Sequence, residues 1–250
     1  MNTISNPTIE LIKNHRSIRR YKDKPINEEL FEQLMVAGQS ASTSSTIQAV
    51  SVIRVQDIES RSLLVELTGN QKYVATASEF LVFCADLNRN FQRIKESAPD
   101  ADFEWTEQFL SSTIDVALFA QNVVIAAESN DLGCCYIGGI RNNPEQVIEL
   151  LKLPDLVFPL FGLCVGYPDQ DPEKKPRLPI AVQVHKNRYT YTQQEIDLID
   201  EYDETLRQYY LQRTSGKLQY SWSEQMLKQS RSENRPFIKK SINNKGLALK

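Results

Sequence analysis

The longest helical pattern in the chain runs from residue 106 to residue 132, and it limits the folds open to everything else. Phe109, Leu110, Ile114, Ala117, Ala120, Val123, Val124 and Ala127 keep helical spacing. Twenty-seven residues make a rod of about 40 Å, long for one domain of a 250-residue chain. Ala117, Ala120, Ala126 and Ala127 let neighbours approach closely. A helix that is buried nearly all round needs partners on several sides, and a second subunit is one source of them. Asp115, Gln121, Asn122 and Glu128 argue against a membrane-spanning role. No run of 18 apolar residues occurs, so no membrane partner is expected.

Around this rod the chain alternates between helix and strand signals. Residues 7–14 read as a short helix with Ile9, Leu11 and Ile12 available for burial. A second helix begins after Pro25, with Asn27 as its cap and Ile26 stapled onto Phe31, and stops near Gly38. Residues 50–55 are an apolar strand, 58–68 an amphipathic helix and 79–86 a buried central strand. Residues 87–103 look irregular and read as a mobile insertion. A third strand covers 157–166. Pro144 opens one more helix after 143, and 195–210, the stretch around Trp222 and the stretch after Pro236 are helical. No linker, repeat or low-complexity segment divides the chain.

Several function classes are disfavoured. The net charge of −3 and pI near 5.6 make nucleic acid an unexpected partner. The four cysteines lie in apolar runs without a CxxC pair, and there are only two histidines, so no metal site is expected and the thiols read as reduced core residues. The N-terminus lacks an uninterrupted apolar stretch of signal type, which points to the cytoplasm. No G-x-G-x-x-G follows the first strand, and neither a Walker loop nor a G-x-S-x-G elbow is present.

What the chain does offer is binding groups. Asn14-His15-Arg16-Ser17-Ile18-Arg19-Arg20-Tyr21 packs three arginines, a histidine and a hydroxyl together. It is either an anion site or a solvated basic turn. Gln39–Thr46 carries six hydroxyls in eight residues. It is either a flexible polar loop or a wall facing a polyhydroxylated ligand, and its place between a helix and a strand argues that it is positioned. Gly69-Asn70-Gln71-Lys72-Tyr73 puts an amide and a phenol on a loop. Gly138-Gly139, the sole glycine pair, either serves a turn or lets bare backbone approach a ligand. Lys175-Pro176-Arg177 forms a second anion clamp or a second basic turn. A chain rich in binding groups and poor in catalytic ones suits a redox cofactor, which brings its own reactive atom.

Five stretches taken together carry a family resemblance: His15-Arg16-Ser17-Ile18-Arg19, Ser42-Thr43-Ser44-Ser45, Gly69-Asn70-Gln71-Lys72, Tyr136 through Asn143, and Lys175 through Pro179. In this order the chain resembles the oxygen-insensitive NADPH nitroreductases and the related NADPH–flavin reductases of luminous bacteria. The resemblance implies an α+β nitroreductase fold, with a central mixed, mostly antiparallel sheet flanked by helices, in an intertwined homodimer. It also implies one domain over 1–250, with 190–250 as a helical extension wrapping the partner. FMN would be the bound cofactor and NADPH the reductant. By analogy, Arg16, Lys175 and Arg177 hold the FMN phosphate, with His15 and Ser17 alongside. Arg19 and Gln71 meet the flavin's pyrimidine edge, and backbone N–H groups at Gly138 and Gly139 reach N5. Thr43, Ser44, Ser45, Gln48, Tyr73, Tyr136, Ile137 and Arg141 complete the cofactor set. Thr43 interrupts the usual serine run. Thr46 stands where relatives carry an aromatic residue, which widens the pocket. Arg213 and Arg235 match positions that hold the 2′-phosphate of NADPH.

The implied activity is ping-pong, with hydride passing from NADPH to FMN N5 and then to a nitroaromatic, quinone or free flavin. No side chain is assigned as a catalytic acid or base. The alternatives are a flavin-binding or stress-responsive protein with little turnover, a dehalogenase-type relative on the same fold, and a Ser/Thr-rich interaction module without cofactor.

Overall fold

A computed structural model describes residues 6–250 of the chain. The apolar runs pair into one sheet. β1 (Val50–Arg54), β2 (Glu79–Asp86), β3 (Gly133–Ile137) and β4 (Val157–Gly166) lie in the order β1-β2-β4-β3. Every residue of β2 is buried, as expected for an interior strand. All three pairings are antiparallel, so the parallel component of the expected mixed sheet is absent among the described residues.

Alternation along β2 gives the sheet two apolar faces. Leu81, Phe83 and Ala85 join one core, while Phe80, Val82 and Cys84 join the other. The first face is covered by α2 (Glu28–Gln39) and α6 (Thr106–Glu128); the second by α3 (Ile58–Leu67) and α7 (Pro144–Leu150). Asn27 caps α2 by accepting the Leu30 N–H at 2.7 Å, and Ile26 and Phe31 share the first core. Gly38 lets α2 meet α6, because a Cβ there would lie 2.3 Å from the Phe119 ring. α1 (Pro7–Lys13) buries none of its residues; Ile9 and Ile12 stay about half exposed, unlike the burial expected of them.

α6 is 23 residues long, four fewer than its sequence pattern. Ser129 and Asn130 bond back to the Ala126 carbonyl, and Asp131 takes a left-handed backbone, so the helix stops before Gly133. The helix is long and apolar enough to cross a membrane. Here it is a core helix, with Val116, Ala120, Val123, Val124 and Ala127 fully buried. The expected irregular insertion after β2 contains a helix, α5 (Asn88–Ile94), which follows α4 (Tyr73–Thr76) in chain order. The Asp86 carboxylate accepts the Arg89 N–H at its start, and Phe91 packs edge-on against Phe103.

The chain divides into two compact units. One comprises the residues up to Pro172 together with Phe237–Lys250; the other is Glu173–Pro236. The second contains α8 (Ile180–Gln183), α9 (Gln193–Arg213) and α10 (Trp222–Ser230), with Tyr202, Leu206 and Tyr209 as its small core. The expected extension over 190–250 is therefore split. α11 (Ile238–Asn244) and the tail fold onto their own first unit. There Leu247 is fully buried and Lys245 Nζ bonds the Leu153 carbonyl at 3.1 Å.

Candidate functional site

The arginine run crosses the edge of the sheet and distributes its side chains to different places. The Ile18 N–H bonds the Cys134 carbonyl at 2.9 Å, which ties the run to β3. His15 Nδ1 lies 2.6 Å from Glu128 Oε1, near the end of α6. Arg16 is paired with Asp171 and lines a cavity with Glu128 and Asp131. Ser17, which follows them in sequence, is half-buried. The charge of Arg19 acts on the Tyr73 phenol and the Cys135 thiol. Burial raises the pKa of both groups, and the charge of Arg19 pulls against that rise.

Around Arg19 the predicted residues come together. The Tyr73 phenol donates to Gln71 Oε1, and Gln71 Nε2 donates to the Thr68 carbonyl at 2.7 Å. Gly139 lies flush on this pair: a Cβ there would be 2.3 Å from the Thr68 oxygen and 2.6 Å from Gln71 Nε2. Gly138 is different, because a Cβ would meet nothing closer than Arg141 at 3.7 Å. Packing demands glycine at 139 but not at 138. Both follow β3 in a short 3₁₀ turn, Gly138–Asn142. Arg141 donates to the Leu160 carbonyl. Ile137 is fully buried, so only its backbone is available to a ligand. Tyr136, on the opposite strand face, is 37% exposed and packs edge-on to Phe161.

The hydroxyl loop is held. Thr43 leads into a 3₁₀ turn over Ser44–Thr46. Asp115 on α6 accepts the Ser44 N–H at 2.9 Å, and Asn90 donates to the Ile47 carbonyl at 3.1 Å. Ser45, Thr46 and Gln48 have φ of 47°, 61° and 51°. Left-handed backbone in non-glycine residues costs about 1 kcal/mol or more each, so tertiary contacts must hold it. The other Asp115 oxygen is buried without a partner among the described residues.

In the second unit, Lys175 and Arg177 flank Pro176, whose carbonyl accepts the Tyr202 hydroxyl at 3.2 Å. Lys175 Nζ sits 5.4 Å from the Tyr210 ring centroid, within cation–π range. Arg213, at the end of α9, donates to the Tyr209 hydroxyl at 3.0 Å. Arg235 lies after α10 with a left-handed φ of 56°.

Residue types alone did not single out Glu128, Asp115, Thr68 or Tyr202 as site residues. Glu128 and Asp115 carried one signal, as acids on an otherwise apolar helix. Thr68 acts through its carbonyl, which no sequence pattern marks.

Comparison with known proteins follows this geometry. Residues 12–167 match the model described as Nitroreductase family, and 175–250 the one described as Nitroreductase family, C-terminal domain. The chain is 47% identical over 244 residues to an oxygen-insensitive NADPH nitroreductase of Salmonella typhimurium, covering 98% of this chain and 99% of that protein. It is 46% identical to an NADPH-flavin oxidoreductase of Vibrio harveyi, covering 97% and 99%. Among solved structures, a nitroreductase from B. subtilis superposes with a TM-score of 0.93 at 44% identity, covering 97% of this chain and 100% of that one. An NADPH:FMN oxidoreductase from Vibrio harveyi, complexed with NAD+, gives 0.89 at 44%, covering 98% and 100%.

Proposed function

The chain belongs to the nitroreductase family, and from that premise we propose that it is an FMN-dependent oxidoreductase. It takes electrons from NADPH and delivers them in pairs to a nitroaromatic, a quinone or free flavin. The observation that carries this reading is the cluster of Arg19, Gln71, Tyr73, Gly138 and Gly139. A flat ring system needs backbone that it can approach closely, and Gly138 keeps open a space that packing would let a side chain fill. A cation beside the ring's pyrimidine edge favours the negative charge that develops there on reduction, and Arg19 supplies it. The donor set fits the group.

Bound FMN supplies the electron-transfer chemistry that no side chain here possesses. The protein's residues bind and orient. We assign Arg19 and Gln71 to the pyrimidine edge and the N–H groups of Gly138 and Gly139 to N5. Tyr73, Tyr136, the Ile137 backbone and Arg141 frame that edge. The family resemblance assigns His15, Ser17, Lys175 and Arg177 to the phosphate. Arg16 serves it only where Asp171 releases the guanidinium. Thr43, Ser44, Ser45 and Gln48 form the hydroxyl wall, and Arg213 and Arg235 take the 2′-phosphate of NADPH. The enzyme works in the cytoplasm, in keeping with its four free, buried thiols.

The working form is a homodimer. Leu110, Ile114 and Leu118 form an exposed apolar stripe on α6 at i, i+4 and i+8, each 45–58% exposed. Such a stripe marks an interaction surface. Within the proposed extension over 190–250, Tyr191, Leu218, Leu227 and Phe237 are also exposed, which leaves apolar surface for a partner. Ile114→Glu is expected to give a monomer in sedimentation analysis; a variant that stays dimeric removes α6 from the interface.

An anaerobic absorbance spectrum tests the function. The purified protein should be yellow, or become so with FMN, and NADPH should bleach it. A folded protein that stays colourless and takes up no FMN overturns the reading.

A further inference from the structure

Gln71 is bound at both ends of its amide. Its oxygen accepts the Tyr73 phenol, and its nitrogen donates to the Thr68 carbonyl. Reversing the amide would set its oxygen against the Thr68 oxygen, acceptor against acceptor, so only one orientation satisfies both neighbours. Gly139 closes the third side. The amide keeps one N–H and one lone pair for a ligand.

The Tyr73 phenol must stay neutral to donate. Burial raises its pKa, and the nearby cysteine Cys135 adds to the rise, while Arg19 offsets only part of it. The hydroxyl is therefore protonated throughout the physiological range. The phenolic hydrogen points to Gln71, and Arg19 adds its charge nearby. Donation thus runs one way, from Tyr73 through Gln71 to the Thr68 carbonyl. Linked bonds of this kind polarise one another. The backbone beneath is fixed as well. The Val74 N–H bonds the Gln71 carbonyl at 2.9 Å, and Arg61 holds the Val74 and Ala77 carbonyls.

Resting on the flavin reading above, we propose that Tyr73 is a positioning residue that tunes the reduction potential of the bound flavin. It does so by presetting the Gln71 amide toward the ring edge where charge accumulates, beside the charge of Arg19. An ordered donor stabilises the reduced, negatively charged ring more than the oxidised one, because no reorganisation is needed when the charge arrives. Without the phenol, the Gln71 amide can turn.

The test is Tyr73→Phe in the FMN-loaded protein. Two quantities are measured: the dissociation constant of oxidised FMN by fluorescence, and the two-electron midpoint potential by dye equilibration. Affinity for reduced flavin is expected to fall about tenfold more than affinity for oxidised flavin, moving the potential about 30 mV negative. Gln71→Met should produce a similar shift, and it provides the same readout where Tyr73→Phe fails to fold. The double variant should shift no further than either single one, since both break the same relay. Equal loosening of oxidised and reduced flavin, with an unmoved potential, overturns the proposal and leaves Tyr73 a structural residue. A wild-type protein that binds no FMN overturns the underlying function instead, so the two failures are distinguishable.

Discussion

The two units hold their cationic groups by different means. In the first, Arg19 is itself exposed, but the groups beside its charge are fixed: Tyr73 is tied to Gln71, and Gln71 to the Thr68 carbonyl, with Gly139 flush against the amide. In the second, Lys175 and Arg177 are exposed, and only the segment between them is pinned, through Tyr202 to the Pro176 carbonyl and through the Tyr210 face to Lys175. The difference matches what each is proposed to recognise. A ring edge presents acceptors in fixed directions, so its donors must be aimed. A phosphate accepts from many angles, so a point charge on a flexible stem suffices.

Gly139→Ala breaks the aimed cluster most severely. The added carbon would meet backbone at 2.3 Å, and backbone cannot move aside cheaply. We expect about 1–3 kcal/mol lost in urea unfolding and no retained flavin. Wild-type flavin content in that variant would show that the cluster is loose. Tyr202→Phe probes the pinned segment. Losing one hydroxyl bond is expected to cost about 1 kcal/mol, read as roughly fivefold weaker FMN binding. Riboflavin, which lacks the phosphate, should bind unchanged; an equal loss for both ligands would separate Tyr202 from the clamp. Arg213→Ala is milder still, because the side chain is exposed. The Michaelis constant for NADPH should rise about threefold while that for NADH stays constant, and equal effects would refute the 2′-phosphate role.

The smallest effect at neutral pH belongs to the buried thiols of the first unit. Burial, and then the charge of Asp86, push Cys84 up to about 12 from an ordinary 9.0. The folded chain holds this proton more tightly than the unfolded one. Its contribution to stability is therefore complete below pH 9 and is lost as pH rises from 9 toward 12. Unfolding free energies measured at pH 8 and 10 should show the fall, and Cys84→Ala should make it shallower without removing it, because burial raises Cys134, Cys135 and Cys164 too.

Much of the fold was legible because it rests on local chemistry. Asn27 announces a cap, and the apolar run at 79–86 cannot lie anywhere but inside. Two misread element boundaries have local causes too. Residues 88–94 are too polar to advertise a helix, and what starts it is the Asp86 carboxylate at the end of a strand. The pattern of α6 runs on to 132, but Ser129, Asn130 and Asp131 compete for its last carbonyls and turn the chain. Arg16 had the composition of an anion clamp, yet Asp171 occupies it across 155 residues of sequence, a separation at which no spacing rule operates.

Periodicity, caps and glycine placement determine from the sequence alone that this chain makes a helix-covered sheet, and five short stretches are enough to imply its family. Only the tertiary structure decides which donors are aimed and which are occupied. Hydrogen bonds between distant segments depend on where the backbone puts a carbonyl such as that of Cys134, or a carboxylate such as that of Glu128. A linear pattern records residue types; the direction in which they point is set by the packing around them.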